Sequence, residues 1–194
     1  LGYAKWIDNN EKFHNKILSL DVNNEFHPRI SILLPVYRVP LNFLKKAIES
    51  VELQSYENWE LCICDDASNC SNLLKYLEVK SKTDARIKIL IRETNGHISA
   101  ATNDALALAT GEYAALLDHD DELHPDALMR VVQAVKNNPG VEIVYSDVDK
   151  LDVNNRRHHP YFKSEFNPVL FLAQNMISHL GVYRVSTLRE LGGF

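Results

Sequence analysis

The feature that most constrains this chain is a regular alternation of short apolar runs with longer amphipathic segments. The first run, residues 30–36, is followed by turn chemistry and by Pro40, after which apolar residues recur at helical spacing. Mostly apolar runs of this length are typical of strands buried on both faces. The same order recurs, with strands expected near residues 59–64, 86–91, 112–117 and 141–145, and helices near 70–80, near 97–109 and after Pro125.

Alternation of this kind predicts an α/β fold, with a mostly parallel sheet and helices on both faces. In open sheets of that type, ligands bind outside the carboxyl ends of the strands. Three polar groups follow apolar runs directly, and they are therefore expected on one rim: Pro35-Val36-Tyr37-Arg38, Asp65-Asp66-Ala67-Ser68 and Asp118-His119-Asp120-Asp121.

Length and composition fit one substantial core preceded by a short leader. The chain has 194 residues, of which 45% are apolar and 24% charged, as in ordinary globular proteins. Residues 3–20 carry an apolar stripe at helical spacing, and the polar residues 21–28 end in a proline. We therefore expect an amphipathic helix and connector over residues 1–28, and the main domain over residues 29–194.

The charge pattern excludes some classes of partner. The net charge is −5, and Lys and Arg are scattered, so nothing indicates a face that binds nucleic acid. No apolar run approaches the roughly 18 to 20 residues that a membrane span needs, and the N-terminus lacks the order of a signal peptide. A cytoplasmic location is expected. Cys62 and Cys64 share one face of a strand, as reduced core thiols would.

The group Asp118-His119-Asp120-Asp121 indicates a cation site. Three carboxylates this close repel one another unless a cation compensates them. Hard oxygen ligands favour Mg²⁺ or Mn²⁺, and an ion held by two or three carboxylates keeps positions open for phosphate oxygens. Asp118 and Asp120, two residues apart, are the candidate metal ligands. The alternative is an acidic turn that caps the next helix.

The other motifs limit the ways in which this chain could bind a nucleotide. The positions of the seven glycines exclude both the dinucleotide-binding fingerprint and the Gly-rich phosphate loop, so a diphosphate would depend on the metal. Asp65 and Asp66 could accept hydrogen bonds from a ribose or a base, or could cap a helix. In residues 95–103, Gly96 and the small residues after it would let the backbone pass near a nucleotide, with Asn103 two turns into the helix. Equally, the small residues could serve merely to pack the helix tightly against the sheet.

At these residues the chain resembles the family 2 glycosyltransferases of the GT-A fold, a three-layer Rossmann-like sandwich. The resemblance extends over nearly the whole chain, and later segments resemble bacterial members that build surface polysaccharides. The matching segments are Pro35-Val36-Tyr37, Asp65-Asp66-Ala67-Ser68, Asn95-Gly96, Ala100-Ala101-Thr102-Asn103, Gly111-Glu112-Tyr113, Asp118-His119-Asp120-Asp121, Tyr145-Ser146-Asp147, Pro160-Tyr161-Phe162-Lys163 and His179-Leu180-Gly181-Val182-Tyr183-Arg184.

The resemblance implies an enzyme that transfers a sugar, with inversion, from a nucleotide-diphospho-sugar, usually UDP-linked, to a glycan or lipid-linked acceptor. Association with the inner face of the plasma membrane is compatible with it. Asp118 and Asp120 match the Asp-x-Asp signature, whose carboxylates bind ribose and Mn²⁺ or Mg²⁺. The resemblance implies that Pro35, Val36, Tyr37, Asp65, Asp66, Arg92 and Asn95 surround the nucleoside and that Asp118 contacts the ribose. Gly96, Asn103 and His119 are added to the candidate nucleotide-binding residues from their positions in the chain.

The resemblance also implies a carboxylate base some tens of residues beyond the Gly-Gly-Phe that matches residues 192–194. Within the chain, Asp147 and Asp149 are the candidates for that base. His179 is a further candidate metal ligand, because some relatives complete the metal shell with a late histidine. Residues 156–159, Arg-Arg-His-His, are expected to form a solvated loop.

Two other interpretations stay open at this point. Without the base, the chain would be a donor-binding fragment that transfers nothing. A phosphoacceptor signalling domain would also place an acidic pair and a later aspartate around Mg²⁺, but Lys150 comes one strand too early for that fold.

Overall fold

A computed structural model describes residues 2–18 and 26–194 of the chain, with side chains for residues 2–11 and 26–194. The predicted connector lies mostly in residues 19–25, outside the described residues. The elements in chain order are α1 (Tyr3–Leu18), β1 (Ile30–Val36), α2 (Leu41–Glu52), β2 (Trp59–Asp65), α3 (Ser71–Thr83), β3 (Ile87–Ile91), α4 (His97–Leu108), β4 (Tyr113–Leu116), α5 (Ala127–Asn137), β5 (Ile143–Tyr145), β6 (Val148–Leu151), β7 (Arg157–Tyr161), α6 (Pro168–Ala173), β8 (Gly181–Arg184) and α7 (Val185–Glu190).

The chain forms two compact units. The larger unit contains residues 27–144 and 182–194, and the smaller one contains α1 and residues 145–181. The predicted boundary between a leader of residues 1–28 and a domain of residues 29–194 stays a prediction. In the part of the chain that the structure describes, no helix is long and apolar enough to cross a lipid bilayer.

The sheet is mostly parallel, as the alternation predicts. Its six strands have the order β3-β2-β1-β4-β8-β5. Strands β1, β2, β3 and β4 pair in parallel, whereas β8 pairs antiparallel with β4. The sequence pattern did not show that β8 returns to the sheet between β4 and β5, because pairing direction depends on a distant connection and not on the apolar run itself.

Both faces of the central strands are buried. Every residue of β1 and β2 is buried. Leu33, Cys62 and Cys64 pack in one cluster with α4 and α7. Neighbouring strand residues such as Leu34 and Ile63 point to the opposite face and are fully buried too, so that face must also be covered. Burial raises the pKa of both thiols to about 12, which fits the predicted reduced core cysteines.

Helix α5 begins two residues later than Pro125 suggested. Pro125 and Asp126 form a turn, and the Gln54 side chain fixes the start of the helix. Its Oε1 accepts a hydrogen bond from the Leu128 N–H at 3.0 Å, and its Nε2 donates to the carbonyl of His124 at 2.8 Å. The buried side of α5 consists of Leu128 and three valines.

In the smaller unit, α1 is tied to the hairpin formed by β6 and β7. The Tyr3 hydroxyl donates to Asp149 at 2.5 Å, and Arg157 binds both Asp149, at 2.5 Å, and Glu11, at 2.7 Å. The Trp6 ring packs on Phe162 with centroids 4.9 Å apart. The expectation of a solvated loop over residues 156–159 was therefore wrong, because Arg157 lies in a strand and binds Asp149 together with two residues that are distant in sequence, Tyr3 and Glu11.

Candidate functional site

The ends of three neighbouring strands lie side by side in the larger unit. Val36, the last residue of β1, is opposite Asp65, the last residue of β2, and Asp65 is opposite Ile91 at the end of β3. The Asp66 N–H donates to the Val36 carbonyl at 2.8 Å. The polar residues after these strands therefore share one rim, as the fold class predicted.

Asp65 links the segments that follow β1 and β2. It is fully buried, and its Oδ2 accepts a hydrogen bond from the Ser68 N–H at 3.1 Å. The Ser68 hydroxyl in turn accepts from the Arg38 N–H at 2.9 Å. Within the described residues, no group donates to Asp65 Oδ1, which is unusual for a buried carboxylate oxygen.

Asp66 organises the segment that joins β3 to α4, residues 92–96, which we call the β3–α4 loop. Its Oδ1 accepts from the Gly96 N–H at 2.8 Å and forms an ion pair with Arg92 Nε at 2.9 Å. Its Oδ2 accepts from the Asn95 amide at 2.7 Å. The Asp66 side chain is only 3% exposed, so these charge-assisted bonds lie in a poorly hydrated environment where they are strong.

The guanidinium of Arg92 lies between two carboxylates. Besides Asp66 it forms an ion pair with Asp104 on α4, through Nη1. Arg92 also crosses Gly96 so closely that a Cβ there would come within 2.4 Å of Nη2. A side chain at this position would have to displace the Arg92 guanidinium, so the glycine makes room for the arginine, a reason the sequence did not show.

The predicted nucleotide-binding residues thus meet on the rim, but they differ in exposure. Pro35 and Val36 are buried, whereas Asn95 is exposed and Tyr37 is 39% exposed. The accessible groups of this set can touch a ligand, while the buried Asp66 holds the β3–α4 loop behind them. Their assignment as nucleotide ligands stays a prediction.

Asn103 has a different set of contacts. Its Nδ2 donates to the Phe194 carbonyl at 3.0 Å, and its Oδ1 accepts from the Phe194 N–H at 2.8 Å. Gly193 passes beside it with a φ of +94°, and a Cβ there would lie 2.3 Å from Asn103 Oδ1. The amide is thus engaged with backbone, and its predicted role in nucleotide binding receives no support from these contacts.

The acidic group forms a tight turn at the end of β4. The Leu117 N–H donates to the Leu33 carbonyl at 3.0 Å, which places the turn beside β1, and the Asp121 N–H donates to the Asp118 carbonyl at 3.1 Å. Carboxylate oxygens of Asp118 and Asp121 lie within 4.8 Å of each other. His119 and Asp120 are the central residues of the turn, and Asp120 is exposed. The structure therefore adds Asp121 to the candidate ligands.

This donor set suits a hard divalent cation. Two carboxylate oxygens within 4.8 Å can approach one ion, and Mg²⁺ and Mn²⁺ prefer oxygen ligands while keeping further positions for water or phosphate. The acidic turn, defined as residues 118–121, is therefore a candidate metal site on the rim. Its occupation by a metal, and the choice between Asp120 and Asp121, stay predictions.

The remaining candidates belong to the smaller unit. Asp149 is held by Tyr3 and Arg157, which gives it a structural role. Asp147 is exposed, and one of its oxygens accepts from the Lys163 N–H at 2.7 Å. His179 is exposed, and the Lys163 ammonium donates to its carbonyl at 2.5 Å. The role of base for either aspartate, and of metal ligand for His179, stays a prediction.

The model of the family described as "Glycosyl transferase family 2" matches residues 31–192. Among curated proteins, the uncharacterized protein y4gI of Sinorhizobium fredii is 44% identical over 86% of this chain and 18% of its own length. The O-antigen biosynthesis protein RfbC of Myxococcus xanthus is 33% identical over 86% of this chain and 13% of its own length. The chain thus spans less than a fifth of these two relatives.

A further relative has a defined reaction in its name. It is the UDP-Glc:alpha-D-GlcNAc-diphosphoundecaprenol beta-1,3-glucosyltransferase WfgD of Escherichia coli, which is 35% identical over 64% of this chain and 47% of its own length. The name describes the relative's own donor and acceptor, and the sequence similarity covers only part of each chain.

Solved structures show the same fold at low sequence identity. TarS of S. aureus in complex with UDP-GlcNAc superposes with a TM-score of 0.67 at 20% identity, over 84% of this chain and 47% of TarS. The mannosyltransferase PcManGT of Pyrobaculum calidifontis, in complex with GDP-Man and Mn²⁺, gives 0.65 at 17% identity, over 94% of this chain and 54% of its own. The chain therefore has the GT-A fold, as the resemblance predicted.

Proposed function

Because this chain belongs to glycosyl transferase family 2, we propose that its rim binds a nucleotide-diphospho-sugar, UDP-linked, and that the protein transfers the sugar to an acceptor with inversion. One observation carries the proposal most directly. The acidic turn, with Asp118 and Asp121 within 4.8 Å, follows β4 beside β1, and the loops that follow β1, β2 and β3 lie on the same rim.

The nucleoside and the diphosphate of a donor are bound by different kinds of chemical group, and the rim has both kinds. The β3–α4 loop and the residues around Tyr37 present an amide, a ring and backbone groups, which suit a nucleoside. The acidic turn presents carboxylates, which repel a diphosphate unless a cation lies between them. We therefore assign the nucleoside to the ends of β1, β2 and β3, and the diphosphate to the acidic turn, with His119 beside it.

Mn²⁺ or Mg²⁺ is the proposed cofactor. Asp118 would hold it, with Asp120 from the Asp-x-Asp signature or Asp121 from the turn geometry, and with His179 as a further candidate. When bound, such an ion neutralises charge on the departing diphosphate. The Mn²⁺ in the complex of the mannosyltransferase PcManGT supports a metal in this fold.

For the acceptor we propose a glycan or a lipid-linked glycan of polysaccharide biosynthesis, handled at the inner face of the plasma membrane. The names of two relatives, one concerned with O-antigen and one with a diphosphoundecaprenol acceptor, support this class. Inversion requires a carboxylate base on the acceptor hydroxyl. Asp147 is the better of the two candidates within the chain, because Asp149 is held by an ion pair with Arg157 and a hydrogen bond from Tyr3.

Calorimetric titration with UDP tests the donor site. We expect UDP to bind in the presence of Mn²⁺ and to bind about tenfold or more weakly in EDTA, because no metal ion then lies between the diphosphate and the carboxylates of the acidic turn. GDP is the matched control, since it has the same diphosphate and a different base. Absence of metal-dependent UDP binding would contradict the proposal.

Donor binding without sugar transfer is a second candidate function. It is favoured by the ion pair of Asp149 with Arg157, because that contact makes Asp149 a poor base and reduces the candidates in the described residues to Asp147. Incubation with labelled UDP-sugars and released lipid-linked glycans distinguishes the two. Sugar transfer or donor hydrolysis supports the enzyme, whereas binding with neither supports the donor-binding function.

A further inference from the structure

Asp104 on α4 was not among the residues that the sequence indicated, and it lies behind the β3–α4 loop. Its carboxylate forms an ion pair with Arg92, whose Nε is paired with Asp66 at 2.9 Å. Exposure falls along this series, from 39% for the Asp104 side chain to 21% for Arg92 and 3% for Asp66. An ionic series thus runs from the surface of α4 to the end of β2.

This series determines where the exposed part of the loop lies. Asp66 holds the Gly96 N–H and the Asn95 amide, and Arg92 packs against Gly96 itself. Arg92 can satisfy Asp66 in several orientations, because its guanidinium has donors on three nitrogens. The second carboxylate restricts it to one orientation, in which Nε faces Asp66 and Nη1 faces Asp104.

We propose that Asp104 is a positioning residue for the donor site, which fixes Arg92 and thereby holds Asp66 and the β3–α4 loop in the conformation that receives the nucleoside. This inference rests on the proposed function. Without Asp104, Arg92 is free to pair with Asp66 through two nitrogens, and the second nitrogen would compete with the Asn95 amide for Oδ2, while Nε still shares Oδ1 with the Gly96 N–H. Asn95 and Gly96 would then lose their fixed position, and nucleoside binding would weaken.

The test is UDP titration in Mn²⁺ with Asp104→Asn. We expect a Kd about 5- to 20-fold higher than that of the wild type, with little change in Tm, because an exposed ion pair adds little stability while loop placement matters for binding. Asp104→Glu keeps the charge and should recover part of the affinity. Glu78→Gln is the matched control: it also removes the carboxylate of an exposed ion pair, on α3 and outside the residues assigned to the donor site, and should stay within about twofold of the wild type.

Equal affinities for Asp104→Asn and Glu78→Gln would overturn the inference. Lack of UDP binding by the wild type would instead contradict the proposed function, and hydrogen exchange of the Gly96 amide then decides the role of Asp104 without nucleotide. We expect faster exchange at Gly96 in Asp104→Asn, with unchanged exchange in β1. Unchanged exchange at Gly96 would overturn the inference independently.

Discussion

Replacing Asp118 by Asn is expected to lower sugar transfer by about 100-fold or more and to abolish the Mn²⁺ dependence of UDP binding. Asp118 belongs to both candidate ligand pairs, the one given by the Asp-x-Asp signature and the one given by the turn. Asn has nearly the same shape, so the change removes a charge and leaves the turn between residues 118 and 121 in place, since that bond uses the Asp118 backbone carbonyl.

The same titrations on Asp120→Asn and Asp121→Asn identify the second carboxylate. A larger loss of Mn²⁺ dependence in Asp120→Asn supports the signature, whereas a larger loss in Asp121→Asn supports the pair that the turn brings within 4.8 Å. Asp126→Asn serves as a control, because it removes a carboxylate shortly after the turn and is expected to bind UDP as the wild type does. Retention of full Mn²⁺ dependence in Asp118→Asn would contradict a metal site at the acidic turn.

Replacing Glu60 by Gln is expected to cost about 2 to 4 kcal/mol of unfolding free energy at pH 7, because it breaks a buried, charged hydrogen-bond network. The Glu60 carboxylate accepts from the Lys88 ammonium at 2.7 Å, from the Ser31 hydroxyl at 2.7 Å and from the Thr110 hydroxyl at 2.9 Å. It also accepts from the Gly111 N–H at 3.1 Å. Glu60 therefore joins β1, β2, β3 and the start of β4 at the end of the sheet opposite the rim.

The contribution of Glu60 depends on pH in a defined direction. Burial by itself would raise the pKa of this carboxyl, but the hydrogen bonds from Lys88, Thr110 and Ser31 outweigh it and lower the pKa to about 2. A group with a lowered pKa in the folded state stabilises the protein fully above its ordinary value of 4.5 and loses that contribution as the pH falls toward 2.

Urea unfolding at pH 7 and at several values between 4.5 and 2 measures this contribution. We expect the stability difference between wild type and Glu60→Gln to be constant above pH 4.5 and to shrink as the pH falls below it. Glu78→Gln is the control, because Glu78 makes a comparable bond to Lys82 on the fully exposed face of α3. Equal effects of the two changes at pH 7 would contradict a special role for the buried network.

The strands and their common rim could be predicted because burial on both faces leaves a strong local signal. Residues 30–36 are apolar for that reason, and a parallel sheet then places Asp65 and Asp118 on the same side without further information. The hairpin of β6 and β7 could not be predicted in this way. Its residues are only partly buried, and Arg157 is favoured there by Tyr3, Glu11 and Asp149, two of which lie far away in sequence.

The roles of individual residues on the rim could not be predicted from the sequence either. Asn103 follows a run of small residues, which suggested a nucleotide contact, yet its amide binds the backbone of Phe194, 91 residues away. Asp104 belongs to no recognisable sequence motif. Its proposed role depends on its ion pair with Arg92, which forms only because that turn of α4 faces the arginine. The residue that a side chain binds in a distant segment depends on how the helices and strands pack. The spacing of residues along one helix or strand does not contain that information.

The amino-acid sequence by itself determined the α/β class, the family, the rim and the acidic turn, because apolar periodicity and closely spaced carboxylates are local properties of a chain. Only the tertiary structure decided that β8 runs antiparallel beside β4, that Asp121 lies near Asp118, and that Asp104, Arg92 and Asp66 form one ionic series. These features depend on distances between segments, and such distances are fixed only when the helices and the sheet pack into one core.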